Sequence, residues 1–320
     1  MNRTVAVTGA TGFIGGHLVQ RLVAEGWRVH VLVRRPETHS APDSILAGPA
    51  IETVPGSLED PASLHDLLRG VDAVVHVAGL VKARSRTEFF RVNAAGVANV
   101  VKIAAEQSPS PHFILISSLA AREPDLSAYA ASKHAGEAVL GDFGRSVPWT
   151  ILRPPVVYGP GDPNSLIFFR MIAKGLAPLP ASDTARLSLL HVADLSAAIV
   201  AVLSSGPATF GGTYEVDDGQ AGGYSWPTIV ATAGENFSKP LRTFRVPKAI
   251  LQGVARLVSL AGLVLGRAPM LSPGKVREIY HPDWVCRGGP LSEQTNWRPQ
   301  RSLKDGFANV IDWYRRNRCL

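Results

Sequence analysis

Two cysteines in 320 residues, Cys286 and Cys319, are too few for a disulfide framework, and neither stands at a metal-ligand spacing. A reducing compartment and no metal site are expected. The chain lacks any uncharged apolar stretch of roughly 18 residues, the length a membrane-crossing helix needs. Its first residues enter a strand at once, which predicts no cleaved leader and a cytoplasmic protein. It also lacks a block of like charges: 33 basic against 26 acidic residues give +7, read as spread along the chain. Such a balance favours anionic small molecules or membrane surfaces only mildly and does not imply nucleic acid. Prolines and glycines are scattered, so no linker or low-complexity segment marks off independent units, and no internal repeat is visible. What remains, 46% hydrophobic and 18% charged, is material for one large or two modest domains with a full core.

What is present begins with Val5-Ala-Val-Thr-Gly9-Ala-Thr11-Gly12-Phe13-Ile14-Gly15-Gly16. A short apolar run ending in spaced glycines must turn sharply from a strand into a helix. Gly9 permits the tight turn, Gly12 lets the backbone approach a pyrophosphate, and Gly15 is expected to let the helix pack closely on the sheet. The helix N-terminus then presents unpaired N–H groups to an anion, with Thr11, Phe13 and Ile14 around it. A glycine triplet alone also fits a plain strand-to-helix turn. The context favours the phosphate cradle, since Ile14, Leu18 and Leu22 mark one helical face, Gly26 closes the helix, and Arg28–Val33 reads as the next strand.

An acidic residue ending that second strand would accept hydrogen bonds from a free ribose. Here Val33 is followed by Arg34-Arg35, so NADP is preferred, with NAD as the alternative cofactor and two solvated arginines as the plainer reading. Ile51–Val54 is the expected third strand, and Asp60-Pro61 looks like the cap and first residue of a helix reaching Gly70. Ser57 and Leu58, between them, are placed near the adenine. Asp72–Gly79 reads as a central parallel strand whose end, Val77-Ala78-Gly79, leaves room for the cofactor. Lys82, Arg84 and Arg86 follow in a loop that is either solvated or meets a substrate anion. Glu88 to Glu106 reads as one long helix carrying Asn93.

His112–Ser118 is the fifth strand, and Ser118 presents a hydroxyl at the same sheet edge as the glycine turn. Tyr129 and Lys133 follow, four apart on a helix capped by Ser127, so the ammonium sits beside the phenol. A neighbouring cation favours phenolate and lowers a pKa that starts near ~10. Ser118 would polarise a substrate oxygen while Tyr129 exchanges its proton. The Tyr–Lys pair alone reads as structural; the strand-end serine and the glycine turn make it a catalytic candidate.

With these residues, and with Arg153-Pro154-Pro155-Val156-Val157-Tyr158-Gly159-Pro160-Gly161 and His191-Val-Ala-Asp194-Leu195, the chain resembles the extended short-chain dehydrogenase/reductases of the NAD-dependent epimerase/dehydratase family over nearly its whole length. The resemblance implies a bound nicotinamide dinucleotide, a Ser118/Tyr129/Lys133 catalytic set, and Asn93 as a support for the lysine. It also implies that Arg153, Pro154 and Val156 border the nicotinamide, with Tyr158 on the substrate side.

The expected fold is α/β, a doubly wound parallel sheet with a smaller C-terminal α/β region for substrate. Residues 1–165 with the returning segment 187–218 form the nucleotide domain; 166–186 and 219–320 form the substrate region. Helices are expected over Leu166–Gly175, Asp194–Leu203 and Leu303–Arg316, with a last strand near Thr213–Val216. The helix at 303–316 is expected to help cover the cleft. In nucleotide-sugar enzymes of this family an arginine four residues before the histidine usually meets the diphosphate. Here that position is Leu187, with Arg186 beside it. The 11-residue step from Ser118 to Tyr129 is also short for the extended group. An oxidoreductase acting on a largely apolar secondary alcohol or ketone is therefore favoured, with Arg84, Arg86 and Arg186 as the residues able to bring a phosphate instead. An epimerase or dehydratase and a non-catalytic assembly subunit are the alternatives. Pro247–Met270 carries a polar stripe, Lys248, Gln252, Arg256 and Ser259, on an otherwise apolar helix. Core packing is the expected cover for its apolar face, with a homodimer contact or a membrane surface as the other two.

Overall fold

Val5, Ala6 and Val7 are inaccessible to solvent because their strand lies mid-sheet with helices over both faces. The structure, a computed structural model, describes residues 3–34, 46, 48–144, 146–182, 184–288 and 291–320. The first strands are β1 (Thr4–Thr8), β2 (Arg28–Val33), β3 (Ile51–Pro55), β4 (Ala73–His76), β5 (His112–Ile116) and β6 (Trp149–Arg153). With β11 (Gly212–Glu215) they form a seven-stranded sheet in the order β11-β6-β5-β4-β1-β2-β3, parallel throughout. The chain winds outward from β1 in one direction and from β4 in the other. The crevice at the carboxyl ends of β1 and β4 is thus the point where such sheets bind ligands.

Helices α1 (Phe13–Ala24), α2 (Pro61–Leu68), α3 (Arg86–Phe90), α4 (Gly96–Ala105) and α5 (Ala128–Phe143) supply the crossovers. Local chemistry sets their ends. Asp60 accepts the Ala62 N–H with Pro61 as the first helical residue, and Ser127 accepts the Ala130 N–H at 2.9 Å. Gly26, at φ +81°, follows α1. The expected helix over 88–106 is not continuous α. Between α3 and α4, Arg91–Ala95 forms a π-helical turn that carries buried Asn93. The last strand begins and ends one residue earlier than expected, pairing Gly212 with Thr150 and Glu215 with Arg153.

The chain packs as two units. The first comprises Met1–Arg153, Ser196–Glu215 and Gly288–Trp297, and the second Pro154–Leu195, Val216–Arg287 and Arg298–Leu320. The break falls where β6 ends and not after residue 165. The reason is that β7 (Val156–Tyr158) pairs with β10 (Leu189–His191), and Tyr158 lies in the second unit's core. In sequence β8 (Leu176–Pro180) and β9 (Arg186–Leu187) stand between those two strands. The second core includes Phe169, Leu187, Ile229, Phe307, Val310 and Tyr314, gathered largely from α6 (Ser165–Ala173), α8 (Trp226–Gly234) and α12 (Leu303–Arg316). The short α11 (Leu291–Gln294) belongs to the first unit. Between α6 and α8 in sequence lies α7 (Val192–Ser205). The 18 residues from Val192 have the length and mean hydropathy, 1.4, of a membrane-crossing helix. Leu195, Ala198, Ile199 and Val202 are nevertheless wholly buried, as in a core helix.

Candidate active site

Gly9 adopts φ +74°, and a Cβ there would come within 2.6 Å of the Ala78 nitrogen. Glycine is therefore required twice, for conformation and for the close approach of the turn after β1 to the end of β4. A Cβ on Gly15 would stand 2.1 Å from the Gly9 carbonyl oxygen, so Gly15 lets the first helical turn close on the glycine turn itself, and not on the sheet as the sequence suggested. Gly12 differs. It is exposed, its N–H closes the turn onto the Gly9 carbonyl, and the sole contact of an added Cβ would be that same oxygen at 3.3 Å. As N-cap of α1 it offers no side chain to the helix terminus, so the first N–H groups face outward with the dipole. Thr11, Phe13 and Ile14 are half-buried around this open end.

Beside the turn, Thr8 Oγ1 lies 3.0 Å from His76 Nδ1 and accepts the Ala78 N–H at 3.4 Å, tying the ends of β1 and β4 together. Burial, reinforced by the Lys133 charge, pushes the His76 imidazole down to about 3, so it is neutral. Asn93 continues the tie. Its Oδ1 accepts the Leu80 N–H at 2.7 Å, and its Nδ2 donates to the Leu80 carbonyl at 3.0 Å and to Ser132 Oγ at 2.9 Å. Ser132 Oγ in turn donates to the Tyr129 carbonyl at 2.7 Å. Asn93 thereby fixes the loop after β4 to the helix that carries Tyr129 and Lys133. A Cβ on Gly79 would stand 3.3 Å from Asn93 Oδ1 and 3.7 Å from Lys133 Nζ, so both groups border the space this glycine leaves.

Ser118 follows β5 at the carboxyl edge and caps a 3-10 turn by accepting the Ala120 N–H. Tyr129 and Lys133 lie four residues apart on α5, Tyr129 half-buried with Phe89 at a ring distance of 6.1 Å. Lys133 is buried, and Nζ donates to the Ile116 carbonyl at 2.7 Å. Burial brings its pKa down to about 8, against the carboxylate of Glu137, which raises it. Glu137, one turn further, also accepts the Ser117 hydroxyl and a two-pronged bond from Arg153. The sequence reading missed Ser117, Ser132 and Glu137. The place of Glu137 four residues after Lys133 reads in the sequence as a solvated pair, so it does not mark the site.

The remaining expected residues divide into several groups. Arg34 is exposed at the end of β2, while Arg35 lies outside the described residues. Ser57 turns inward to its own loop, its Oγ accepting the Glu59 N–H and its N–H pointing to Ser63 Oγ. Leu58 is anchored by Asn99, which donates to its carbonyl at 2.8 Å. Val77 and Ala78 are half-buried and Gly79 is exposed beside the glycine turn. Lys82 is exposed, Arg84 pairs with Glu88, and Arg86 lies over the Phe90 ring. The Arg153 guanidinium is committed to Glu137.

In the second unit Pro154 is buried and Val156 is exposed. Tyr158, expected on a substrate side, is instead a core residue between His191 and Phe307, its hydroxyl buried without a hydrogen-bond partner. Desolvation raises that phenol far above its ordinary range. Arg186 lies on β9, exposed, with its guanidinium on the Ala185 carbonyl, and neighbouring Leu187 is core. Asp194 accepts the Arg301 N–H at 3.0 Å and is a structural tie.

Residues 5–216 match the model of the NAD dependent epimerase/dehydratase family, which covers most of the chain. The chain belongs to this family. Ceramide reductase of Caulobacter vibrioides is 38% identical over 97% of this chain and 94% of that protein. A dTDP-4-dehydro-6-deoxy-D-allose reductase of a Streptomyces species is 26% identical over 98% of this chain and 96% of its own length. Among solved structures, UDP-glucuronic acid 4-epimerase from Bacillus cereus, in complex with UDP-glucuronic acid and NAD, superposes with a TM-score of 0.76 at 18% identity, covering 98% and 99% of the two chains. That similarity is one of fold. As an NAD(P)-dependent enzyme of the epimerase/dehydratase family, this chain has residues that fit a dinucleotide. The exposed Gly12 and the uncapped start of α1 make a cradle that a Cβ would begin to fill.

Proposed function

We propose that this protein is an NADP(H)-dependent reductase of a long-chain lipid ketone, with a ceramide-type secondary alcohol as product. The observation that carries the reading is the 38% identity to a ceramide reductase over nearly the full length of both chains. The sphingoid chain of a ceramide bears a secondary hydroxyl, and the ketone at that position becomes the alcohol by gaining one hydride and one proton.

The cradle of Gly9, Gly12 and Gly15 would hold the pyrophosphate of the nicotinamide dinucleotide, and Arg34 its 2′-phosphate. When bound, the nicotinamide supplies the hydride. Ser118 orients the carbonyl oxygen by hydrogen bonding, and the Tyr129 hydroxyl delivers its proton to that oxygen as the C–H bond forms. The Lys133 ammonium stabilises the phenolate left on Tyr129 until it is reprotonated. Leu187, core-packed where a diphosphate-binding arginine would stand, and Arg186, turned to its own backbone, support an apolar substrate over a nucleotide sugar.

The test is purified protein with the lipid ketone in detergent, followed by the absorbance of reduced nicotinamide. Expected are net oxidation of NADPH, at least a tenfold preference over NADH (about 1.4 kcal/mol) that Arg34→Ala erodes, and a loss of at least ~10²-fold in Tyr129→Phe. Isomerisation of a nucleotide sugar without net oxidation would overturn the reading. A tenfold preference for NADH would overturn the NADP part of it.

A further inference from the structure

The helix Lys248–Val264 (α9) is built inside out. The side it turns to α10 (Pro273–Ile279) and to its own loop carries Leu251, Gln252, Ala255, Ser259 and Gly262, mostly small or polar residues. Gln252 donates to the Pro273 carbonyl, and the Ser259 hydroxyl is buried without a partner. The side it turns to solvent carries Ile250, Val254, Leu257, Val258, Leu260 and Val264, with Ile250 60%, Leu257 69% and Val264 85% exposed. Core packing, the cover expected from sequence, is therefore not what the structure has. A narrow inner face with one large apolar side chain and a broad outer face with six do not fit a helix on a water-facing surface.

Charge says what covers it. From Asn236 to Arg277 the sequence contains eight basic residues, Lys239, Arg242, Arg245, Lys248, Arg256, Arg267, Lys275 and Arg277, and no acidic one. The whole chain has 33 basic and 26 acidic residues, so everything outside this segment carries 25 against 26, a net charge of −1. The positive excess thus falls in this one stretch of sequence, the apolar helix and its flanks, with Lys275 paired at 2.8 Å to Glu278 directly after it. Exposed Lys248 and Arg256 lie on α9 itself, so a second copy docking through the same face in a two-fold dimer would bring like-charged flanks together. An anionic lipid surface takes up both features at once, apolar side chains into the acyl boundary and cations at the headgroups.

We propose that α9 and its basic flanks are a surface that docks this protein on a bilayer containing anionic phospholipid, α9 lying in the interface plane. This stands on burial and charge and does not depend on the substrate being a ceramide.

The test is co-sedimentation of the full chain with vesicles of phosphatidylcholine alone and of phosphatidylcholine with phosphatidylglycerol, at low and high salt. Expected is binding to the anionic vesicles that salt weakens, and that the paired substitution Leu257→Asp/Val264→Asp weakens at least about tenfold, since each leucine or valine contributes that much when buried. Both positions are exposed, so the melting temperature should not change. If it does, Lys248→Glu/Arg256→Glu must weaken binding to the same vesicles. Absence of binding to anionic vesicles, or binding indifferent to both variants, overturns the proposal. So does a dimer, seen by light scattering, that Leu257→Asp/Val264→Asp converts to monomer, which would assign the face to a second copy. Vesicle binding is read without turnover, so its failure leaves the ceramide reading untouched, and the converse holds.

Discussion

Glu137 holds Arg153 by two parallel bonds, Nε to Oε1 at 2.9 Å and Nη2 to Oε2 at 2.5 Å, while standing one helical turn from Lys133. The same carboxylate therefore anchors a strand end and opposes the burial that lowers the pKa of Lys133. Removing it should do two separable things. Glu137→Ala removes the two-pronged partner of a partly buried guanidinium, with Glu215 still nearby, and should cost about 1–3 kcal/mol in urea unfolding. Glu137→Gln keeps the shape and loses the charge. Lys133, held at about 8 with Glu137 raising it, should then release its proton at lower pH. If charged Lys133 supports turnover, the alkaline limb of kcat/KM, near pH 8 in the wild type, moves to lower pH in Glu137→Gln. A limb that stays in place would separate Glu137 from the chemistry.

The glycines of the first turn should differ in kind. Gly15→Ala puts a Cβ 2.1 Å from a backbone oxygen, and Gly9→Ala strains a φ of +74°, so both should lower the melting temperature. Gly12→Ala meets a single atom at 3.3 Å and should leave the melting temperature of the free protein nearly unchanged. It should nevertheless weaken dinucleotide binding at least tenfold, about 1.4 kcal/mol, by calorimetry. Equal affinity in Gly12→Ala would remove the pyrophosphate from that position.

Acid should unfold the protein through its neutral histidines. His76 is held down to about 3 and His112 to about 4, both chiefly by burial, against an ordinary value of 6.5. Between those values the unfolded chain binds protons that the folded chain refuses, so stability is lost as pH falls below 6.5 and continues to fall towards 3 to 4. Melting temperatures measured from about pH 7 to pH 4 should drop, and His76→Gln should flatten part of that drop.

Much of this is legible in the sequence where local chemistry and local structure coincide. Asp60-Pro61 and Ser127 cap the helices their spacing predicts, and the apolar run at Val5–Val7 with the glycines after it marks the central strand and its turn. Glu137 is not legible, because a carboxylate four residues after a lysine on a helix reads as a solvated pair. Its burial depends on Arg153, a strand away. Tyr158 fails for the same reason: a tyrosine after a strand looks reachable until α12, some 150 residues on, packs Gly306 and Phe307 against its ring. For α9 the spacing identifies the apolar face, but hydropathy has no sign for inward or outward.

The π-helical turn at Arg91–Ala95 makes this stretch intolerant of a change in length. A turn of i→i+5 bonds stores one residue more than the α-helical turn that would join the same ends. Deleting a single residue there would let an ordinary helix run straight through from Arg86. Because the same ends are joined, the flanking residues would keep their phase and the change would fall on the turn itself. Val97, Val100, Val101 and Ala104 would stay in the core, while Asn93, inside the turn, would lose the wider loop that presents it to Leu80 and Ser132. The surplus residue is what allows one helix to serve two directions, a core behind and the Asn93 ties to Leu80 and Ser132 in front.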